Sequence, residues 1–222
     1  MLRTTLLDND IVLKVCRYLL AGKLLETLSR CGKSAVLGSA KFVLRHRIGR
    51  SPGLADKARV TAELEAFLRA ASVVEPGEAE VLLAADLQER AQLLGLALDT
   101  GESILLAVLV QRDVSLLATG DKRGIAVAEV VLEQQSLLTA AEGKVACLEQ
   151  LAAELLRSIG PEVLRAKICA DCDADKSLTI CFSCGSDAFS EASVSAGLTS
   201  YVNAVRTTAP RLLVQSDDLS AF

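Results

Sequence analysis

Three groups of acidic residues each follow a short apolar run or open a helical pattern. Asp8 ends "TTLLD", Glu102 lies in "LDTGES", and Asp121 follows "VSLLATG". Buried apolar runs followed by helical patterns are typical of parallel strands, whose carboxyl ends meet at one edge of a sheet. We therefore expect Asp8, Glu102 and Asp121 to converge at that edge.

Such a cluster indicates metal chemistry. Carboxylates a few ångströms apart repel one another, so they usually persist together because a cation neutralises them. Oxygen donors without His or Cys favour Mg²⁺ or Mn²⁺. The single histidine, His46, is distant in sequence, so the expected nucleophile is a water activated by the metal. Asp10 and Asp99 are candidate additional ligands.

Structural explanations for the same residues remain open. Gly and Asp are common in turns, and Asp121 is well placed to cap the helix that follows it. Asp99 and Glu102 are three residues apart, which is the spacing of a capping box. The sequence alone does not separate these roles from metal binding.

The surrounding elements alternate between strand and helix patterns, which favours a three-layer α/β/α fold with a central, mostly parallel sheet. Apolar runs predict strands at 4–8, at 114–119 and around "SVVEP". "KVAC" indicates a strand or the start of the helix that Gly160 and Pro161 end. Helical patterns are predicted at 11–29, 33–47, 54–71, 77–95, in "LDTGESILLAVLVQRD" after a short break, at 124–137 and up to 159.

Composition sets the broad class. The chain has 222 residues, 51% of them hydrophobic, which suits one core with a small appendage. We expect a domain over 1–160 and a C-terminal extension over 161–222. The net charge of −4 gives no overall attraction to nucleic acid, so such binding would need a local patch.

The start of the chain lacks the apolar stretch of a signal peptide, and the longest apolar run, "ILLAVLV", is too short to span a membrane. These features predict a cytoplasmic protein with no membrane partner. In that compartment we expect the seven cysteines to be thiols or metal ligands rather than disulfides.

Together, "LLDNDIVL", "LDTGESILLAVLVQRD" and "VSLLATGDKRGI" resemble the acidic motifs of PIN-domain nucleases, in the VapC-like subgroup with an Asp-x-Gly-Glu motif. The resemblance covers roughly residues 1 to 158, with the three motifs in the family's order. This sequence departs from the pattern at Gly120, where many relatives carry the first Asp of a pair. It departs again at Ile125, where some members carry a fourth acid.

The resemblance implies a metal-dependent endoribonuclease, toxin-like or RNA-processing, in which Asp8, Glu102 and Asp121 hold one or two Mg²⁺ or Mn²⁺ ions. Its partners would be RNA and an inhibitor or antitoxin-like protein, and it could form a homo-oligomer. Two alternatives stay open: a non-catalytic PIN-like binding or assembly module, and a structure-specific DNA nuclease.

Two basic groups are candidates for holding phosphates. Lys122 and Arg123 follow Asp121 directly, and "RHRIGR" contributes Arg45, Arg47 and Arg50. Both groups are equally compatible with a solvated helix surface.

The extension contains two Cys-x-x-Cys pairs. Cys169, Cys172, Cys181 and Cys184 have the spacing of a Cys₄ zinc site, with Gly185 after the second pair as in a zinc knuckle. A competing interpretation is a strand over "SLTICFS", in which Cys181 and Cys184 would point to opposite faces. Zn²⁺ is therefore a second candidate cofactor.

Overall fold

The structure is a computed structural model that describes residues 3–51, 54, 56–112, 114–186, 188–216 and 219. Its centre is a five-stranded, all-parallel sheet in the order β3-β2-β1-β4-β5. The strands are β1 (Thr4–Leu7), β2 (Lys33–Leu37), β3 (Ser72–Val74), β4 (Val114–Thr119) and β5 (Val145–Cys147).

Helices cover both faces of the sheet, so the predicted three-layer α/β/α fold is confirmed. The first six are α1 (Asn9–Arg17), α2 (Ala21–Leu28), α3 (Ala40–Arg50), α4 (Lys57–Ala70), α5 (Glu78–Leu93) and α6 (Thr100–Gln111). The others are α7 (Lys122–Gln134), α8 (Leu138–Ala141), α9 (Leu148–Ile159), α10 (Pro161–Cys169), α11 (Lys176–Cys181) and α12 (Glu191–Thr208).

Each face of the sheet has its own apolar core. Successive side chains of a strand point to opposite faces, so Leu6 and Leu7 of β1 belong to different clusters. Leu7 packs with α1 to α4 and with α9 to α11, while Leu6 packs with α5 to α8. Helix α12 contributes to both clusters, because Val194 joins the first and Val202 the second.

The register of β1 with β4 places the acidic residues at one edge. Leu6 pairs with Leu117 and Leu7 with Ala118, so both strands end at the same level. The backbone N–H of Asp8 donates to the carbonyl of Ala118 at 3.0 Å. Asp8 therefore lies beside the end of β4, where the chain continues towards Asp121.

The predicted bounds of two helices are wrong. The helix expected over 11–29 is divided at Leu19, whose φ of 53° is left-handed and ends α1, so that α2 begins in a new direction. The helix expected over 33–47 begins instead with β2, and only α3 is helical. Strand β2 lies between β1 and β3 and is buried on both faces, so it lacks the alternation that would have identified it.

The C-terminal extension packs on the rest of the chain. The backbone N–H of Val145 in β5 donates to Leu212 at 3.1 Å, and Val145 accepts from Val214 at 2.8 Å. Leu164 and Phe182 are fully buried in the first core cluster. Residues after 160 thus complete the core of the sheet domain.

Within the described ranges, no helix combines the length and the apolar character needed to cross a membrane.

Candidate functional site

Asp8 is positioned by the end of β1 and the start of α1. Its side chain does not cap α1; instead, its Oδ2 accepts a hydrogen bond from the Thr119 hydroxyl at 3.2 Å. Burial, followed by the nearby charges of Asp10 and Asp99, raises the pKa of Asp8, although hydrogen bonds from Asn9 and Thr119 oppose that rise. A charged Asp8 is therefore held in an unfavourable environment.

Glu102 lies in the first turn of α6 and forms the predicted capping box with Asp99. The Asp99 N–H donates to Glu102 Oε2 at 3.1 Å, and the Glu102 N–H donates to Asp99 Oδ1 at 2.7 Å. Burial and the charges of Asp99, Asp121 and Asp8 raise the pKa of Glu102 to about 7, while the backbone hydrogen bond from Asp99 lowers it. The capping explanation is confirmed. The charges of Asp8 and Asp121 nevertheless repel the carboxylate of Glu102.

Asp121 is the N-cap of α7. Its Oδ1 accepts from the backbone N–H groups of Arg123 at 2.8 Å and Gly124 at 2.9 Å, as the capping explanation predicts. The Thr119 hydroxyl links the two acids, because it accepts from the Asp121 N–H at 3.2 Å while donating to Asp8.

The predicted convergence is observed. Asp8, Glu102 and Asp121 line one open cleft of about 680 Å³ at the carboxyl edge of the sheet. Asp10 and Asp99 line the same cleft. Asp8 and Glu102 also border a small apolar cavity of about 20 Å³, and burial is the largest cause of the raised pKa of each.

Two glycines leave room for the acidic side chains. A Cβ on Gly124 would lie 2.6 Å from Glu102 Oε1, so Glu102 rests against the first turn of α7. A Cβ on Gly120 would collide with Asp10 Oδ2 and lie 3.2 Å from Lys14 Nζ. Asp10 thus occupies the space that a side chain at position 120 would need.

Lys14 neutralises part of the cluster. Its Nζ lies 2.6 Å from Asp10 Oδ2 and 2.8 Å from Asp175 Oδ2. Burial opposes the charge on Lys14, but the hydrogen bonds and charges of these two acids outweigh it and raise the pKa of Lys14. Asp10 is consequently shared between the cleft and an ion pair.

The donor set suits a hard cation, since every acidic ligand candidate supplies oxygen. Among the described residues, neither Glu102 Oε1 nor Asp121 Oδ2 accepts a hydrogen bond, so each carboxylate has one oxygen available. In that same part of the chain, no three His, Cys, Asp or Glu side chains form a group that could hold a metal ion as they stand. Binding would need the carboxylates to turn towards one another, which their repulsion opposes without a cation.

The predicted phosphate ligands Lys122 and Arg123 lie elsewhere. Lys122 Nζ contacts the fully buried carboxylate of Glu149, and Ser177 Oγ donates to the same carboxylate at 2.8 Å. Arg123 is exposed on α7. Neither side chain is among the described residues that line the cleft.

The second basic group, in α3, divides into different environments. Arg45 makes two hydrogen bonds to Glu65, at 2.7 Å and 2.8 Å. Arg47 lines the acidic cleft, and Arg50 is exposed in the last turn of α3.

The four cysteines of the extension are not brought together. Cys169 and Cys184 form a disulfide bond, contrary to the expectation that every cysteine is a thiol or a metal ligand. Cys172 is an exposed thiol and Cys181 a buried one, packed close to Gly197. The segment "SLTICFS" contains helix α11 rather than the alternative strand.

Sequence reasoning missed Thr119 and the role of Lys14. Thr119 ends β4 and faces Asp8, so a polar residue closing an apolar strand was the available signal. Lys14 follows Asp10 by four residues on α1, a spacing that favours an ion pair, but its bond to Asp175 joins residues distant in sequence.

Compared with protein-family models, with curated proteins and with solved structures, the chain matches none of them.

Proposed function

We propose that the protein is a metal-dependent endoribonuclease of the PIN type. One observation carries the proposal: Asp8, Glu102 and Asp121, each from a different strand or helix end, line one cleft at the carboxyl edge of a parallel sheet. That edge is where open α/β sheets bind ligands. The cost of burying Asp8 and Glu102 supports a role for the cluster beyond helix capping.

The electrostatics favour a divalent cation at this place. The raised pKa values of Asp8 and Glu102 reflect carboxylates that lack a compensating charge. Lys14 compensates only Asp10 on this side of the cleft. A Mg²⁺ or Mn²⁺ ion held by Asp8, Glu102 and Asp121 would relieve the repulsion among the other acids.

The metal and the residues around it would have separate roles in the reaction. When bound, the metal would lower the pKa of a water and stabilise negative charge on the phosphoryl oxygens. Thr119 orients Asp8 through its hydroxyl, and the backbone of Asp99 holds Glu102 in place. Asp121 keeps its capping bonds through Oδ1, which leaves Oδ2 available for a ligand.

RNA is the proposed substrate, following the motif resemblance, and an inhibitor protein would be the matching partner of a toxin-like enzyme. The test is cleavage of end-labelled single-stranded RNA, hairpin RNA, transfer RNA and single-stranded DNA, with Mg²⁺, Mn²⁺ or a chelator. Asp8→Asn and Asp121→Asn should each reduce RNA cleavage about 100-fold or more, since each removes charge that holds the metal.

The matched control is Asp86→Asn. Asp86 is exposed on α5 and does not line the cleft, so this variant should cleave like the wild type. Cleavage that persists in both site variants would contradict the proposed site. If the protein cleaves DNA but not RNA, the proposed substrate is wrong and the protein is a DNA nuclease.

The non-catalytic module is the second candidate, and a specific observation favours it. Asp121 and Glu102 are engaged in helix caps and Asp10 in an ion pair, so the acids have structural partners without a metal. A folded protein that cleaves none of the substrates with either metal would support this alternative over the nuclease.

A further inference from the structure

Part of the cleft lining comes from the N-cap and one face of α3. Ser39, Val43 and Arg47 all line the cleft. They are spaced four residues apart, so they lie one above another on the same side of the helix. The cleft is therefore lined by acids at the sheet edge and by residues of α3 and its N-cap.

The cleft lining carries more acidic than basic side chains, so the basic ones matter for binding an anion. Five carboxylates and two basic side chains line it among the described residues: Asp8, Asp10, Asp99, Glu102, Asp121, Lys14 and Arg47. A nucleic-acid backbone entering such a site meets net repulsion unless cations face it. A basic side chain of the cleft that is free to bind a phosphate would reduce this repulsion and so favour nucleic-acid binding.

The two basic side chains differ in availability. Lys14 is held between Asp10 and Asp175. Arg47 makes no side-chain hydrogen bond or ion pair to any described residue, although Arg45, two positions earlier, is paired with Glu65. Arg47 is the free guanidinium of the described cleft lining.

The position of Arg47 suits contact with a phosphate that flanks the scissile one. Arg47 follows Ser39 by eight residues, which is about 12 Å along the axis of α3. Ser39 follows the carboxyl end of β2 by two residues, and Arg47 lines the same cleft as Asp8. A guanidinium binds phosphate through two parallel hydrogen bonds.

On this geometry, and resting on the proposed nuclease function, we infer that Arg47 binds a backbone phosphate next to the scissile one. The face formed by Ser39, Val43 and Arg47 is the surface along which single-stranded nucleic acid lies. Of the two basic groups that the sequence suggested, the second therefore supplies the phosphate contact through Arg47, rather than Lys122 and Arg123.

The test measures binding separately from cleavage. Fluorescence anisotropy of a labelled single-stranded RNA, and of DNA of the same sequence, is followed at several salt concentrations with Mg²⁺ present. All variants are made in the Asp121→Asn background, so that the probe stays intact. The variants are Arg47→Ala, Arg47→Lys and the control Arg50→Ala, on the same helix but outside the cleft lining.

Arg47→Ala should weaken binding about five- to ten-fold, the value of a charged hydrogen bond at an open site. It should also reduce the slope of log affinity against log salt by about 0.7, as expected for one lost phosphate contact. Arg47→Lys should restore the slope and part of the affinity, and Arg50→Ala should change neither.

The outcomes separate the two proposals. Equal effects of Arg47→Ala and Arg50→Ala would overturn the role of Arg47, even if the wild type cleaves RNA. Arg47-dependent binding in a protein that never cleaves would support the binding face and reject the nuclease chemistry. Equal binding of RNA and DNA fits a backbone contact, because phosphate is common to both.

Discussion

Glu102 shows how one residue serves the fold and the site together. It closes the capping box of α6 through Oε2, while Oε1 lies against Gly124 at the start of α7. The same carboxylate is repelled by Asp99, Asp121 and Asp8. Helix capping fixes the position of Glu102. A bound cation would remove the repulsion between the Glu102 carboxylate and the neighbouring acids.

This cost predicts a pH dependence of stability. The pKa of Glu102 rises from 4.5 to about 7 on folding, so the folded state binds the proton more tightly than the unfolded state. Metal-free stability should therefore fall as the pH rises through that interval. Allowing for the partial exposure of Glu102, the loss should be about 1–2 kcal/mol.

Glu102→Gln should remove the loss, because the amide stays neutral while its oxygen still accepts from Asp99. We expect the metal-free variant to be more stable than the wild type by about 1 kcal/mol at about pH 8, with little gain near pH 4.5. Urea unfolding in the presence of a chelator measures this, with Asp86→Asn as control. An equal gain at both pH values would contradict the assignment.

Gly124 offers a second test at the residue scale. An added Cβ would press on Glu102 Oε1, the end of a flexible side chain, so Gly124→Ala should displace Glu102 without unfolding α7. Alanine also favours the helix by up to about 1 kcal/mol. We expect stability to be kept and metal-dependent cleavage to fall about ten-fold or more.

The control is Gly22→Ala in α2, where an added Cβ meets no atom within 4 Å. That variant should keep full cleavage activity. If Gly124→Ala cleaves equally well, the position of Glu102 does not matter for the reaction.

At the scale of elements, the sequence predicted the strands that carry the acids better than the rest of the sheet. Strands β1 and β4 are short apolar runs closed by acidic or polar residues, and both were predicted. Strand β2 was missed, because its buried "SAVL" continues into a helical pattern and carries no alternation. The break at Leu19 was missed because a left-handed leucine has no signature in the sequence.

The positions of the cleft acids were predictable where they follow strands or open helices, whereas contacts that join distant segments were less predictable. Asp8, Glu102 and Asp121 were placed correctly at the sheet edge. The contact of Lys14 with Asp175 brings the C-terminal part of the chain beside the cleft, and that of Lys122 with Glu149 joins α7 to α9 away from it. Such pairs depend on tertiary packing, which local patterns do not encode.

The disulfide leads to a prediction about the segment that it closes. Cys169 and Cys184 are 15 residues apart, and the segment carries Asp171 and Asp175, which pair with α1. Closing a loop of this length stabilises a fold by about 3 kcal/mol through the entropy of the unfolded chain. Cys184→Ser, or dithiothreitol, should therefore lower the free energy of unfolding by about this amount.

Cys172→Ser is the control, since Cys172 is an exposed thiol outside the disulfide. Urea unfolding should detect little change in this variant. If reduction leaves the wild type as stable as before, the disulfide does not contribute to the fold in solution.

At the scale of the whole molecule, both cores need the C-terminal extension. Leu164 and Phe182 complete the cluster on one face, and Val205 and Leu212 complete the cluster on the other. The extension also supplies Asp175, which holds Lys14 beside the cleft. The sheet domain and the extension act as one packed unit.

A chain truncated after Gly160 should therefore lose cooperative unfolding. Removing the extension exposes buried apolar side chains, each worth about 1.5–3 kcal/mol, against a total stability of about 5–15 kcal/mol. Thermal unfolding followed by circular dichroism measures this. A truncated chain that still unfolds in one sharp transition would show that residues 1–160 fold alone.

The central claim, that the acids at the sheet edge form a divalent-metal site, is tested most directly by Mn²⁺ binding. Electron paramagnetic resonance of free Mn²⁺, titrated with wild type, Asp8→Asn, Glu102→Gln and Asp86→Asn, counts bound ions without any substrate. We predict one or two ions bound by the wild type and by Asp86→Asn, with affinity reduced about ten-fold or more in the two site variants, since each loses a charged ligand. Equal binding in all four proteins, or none in the wild type, would contradict the account.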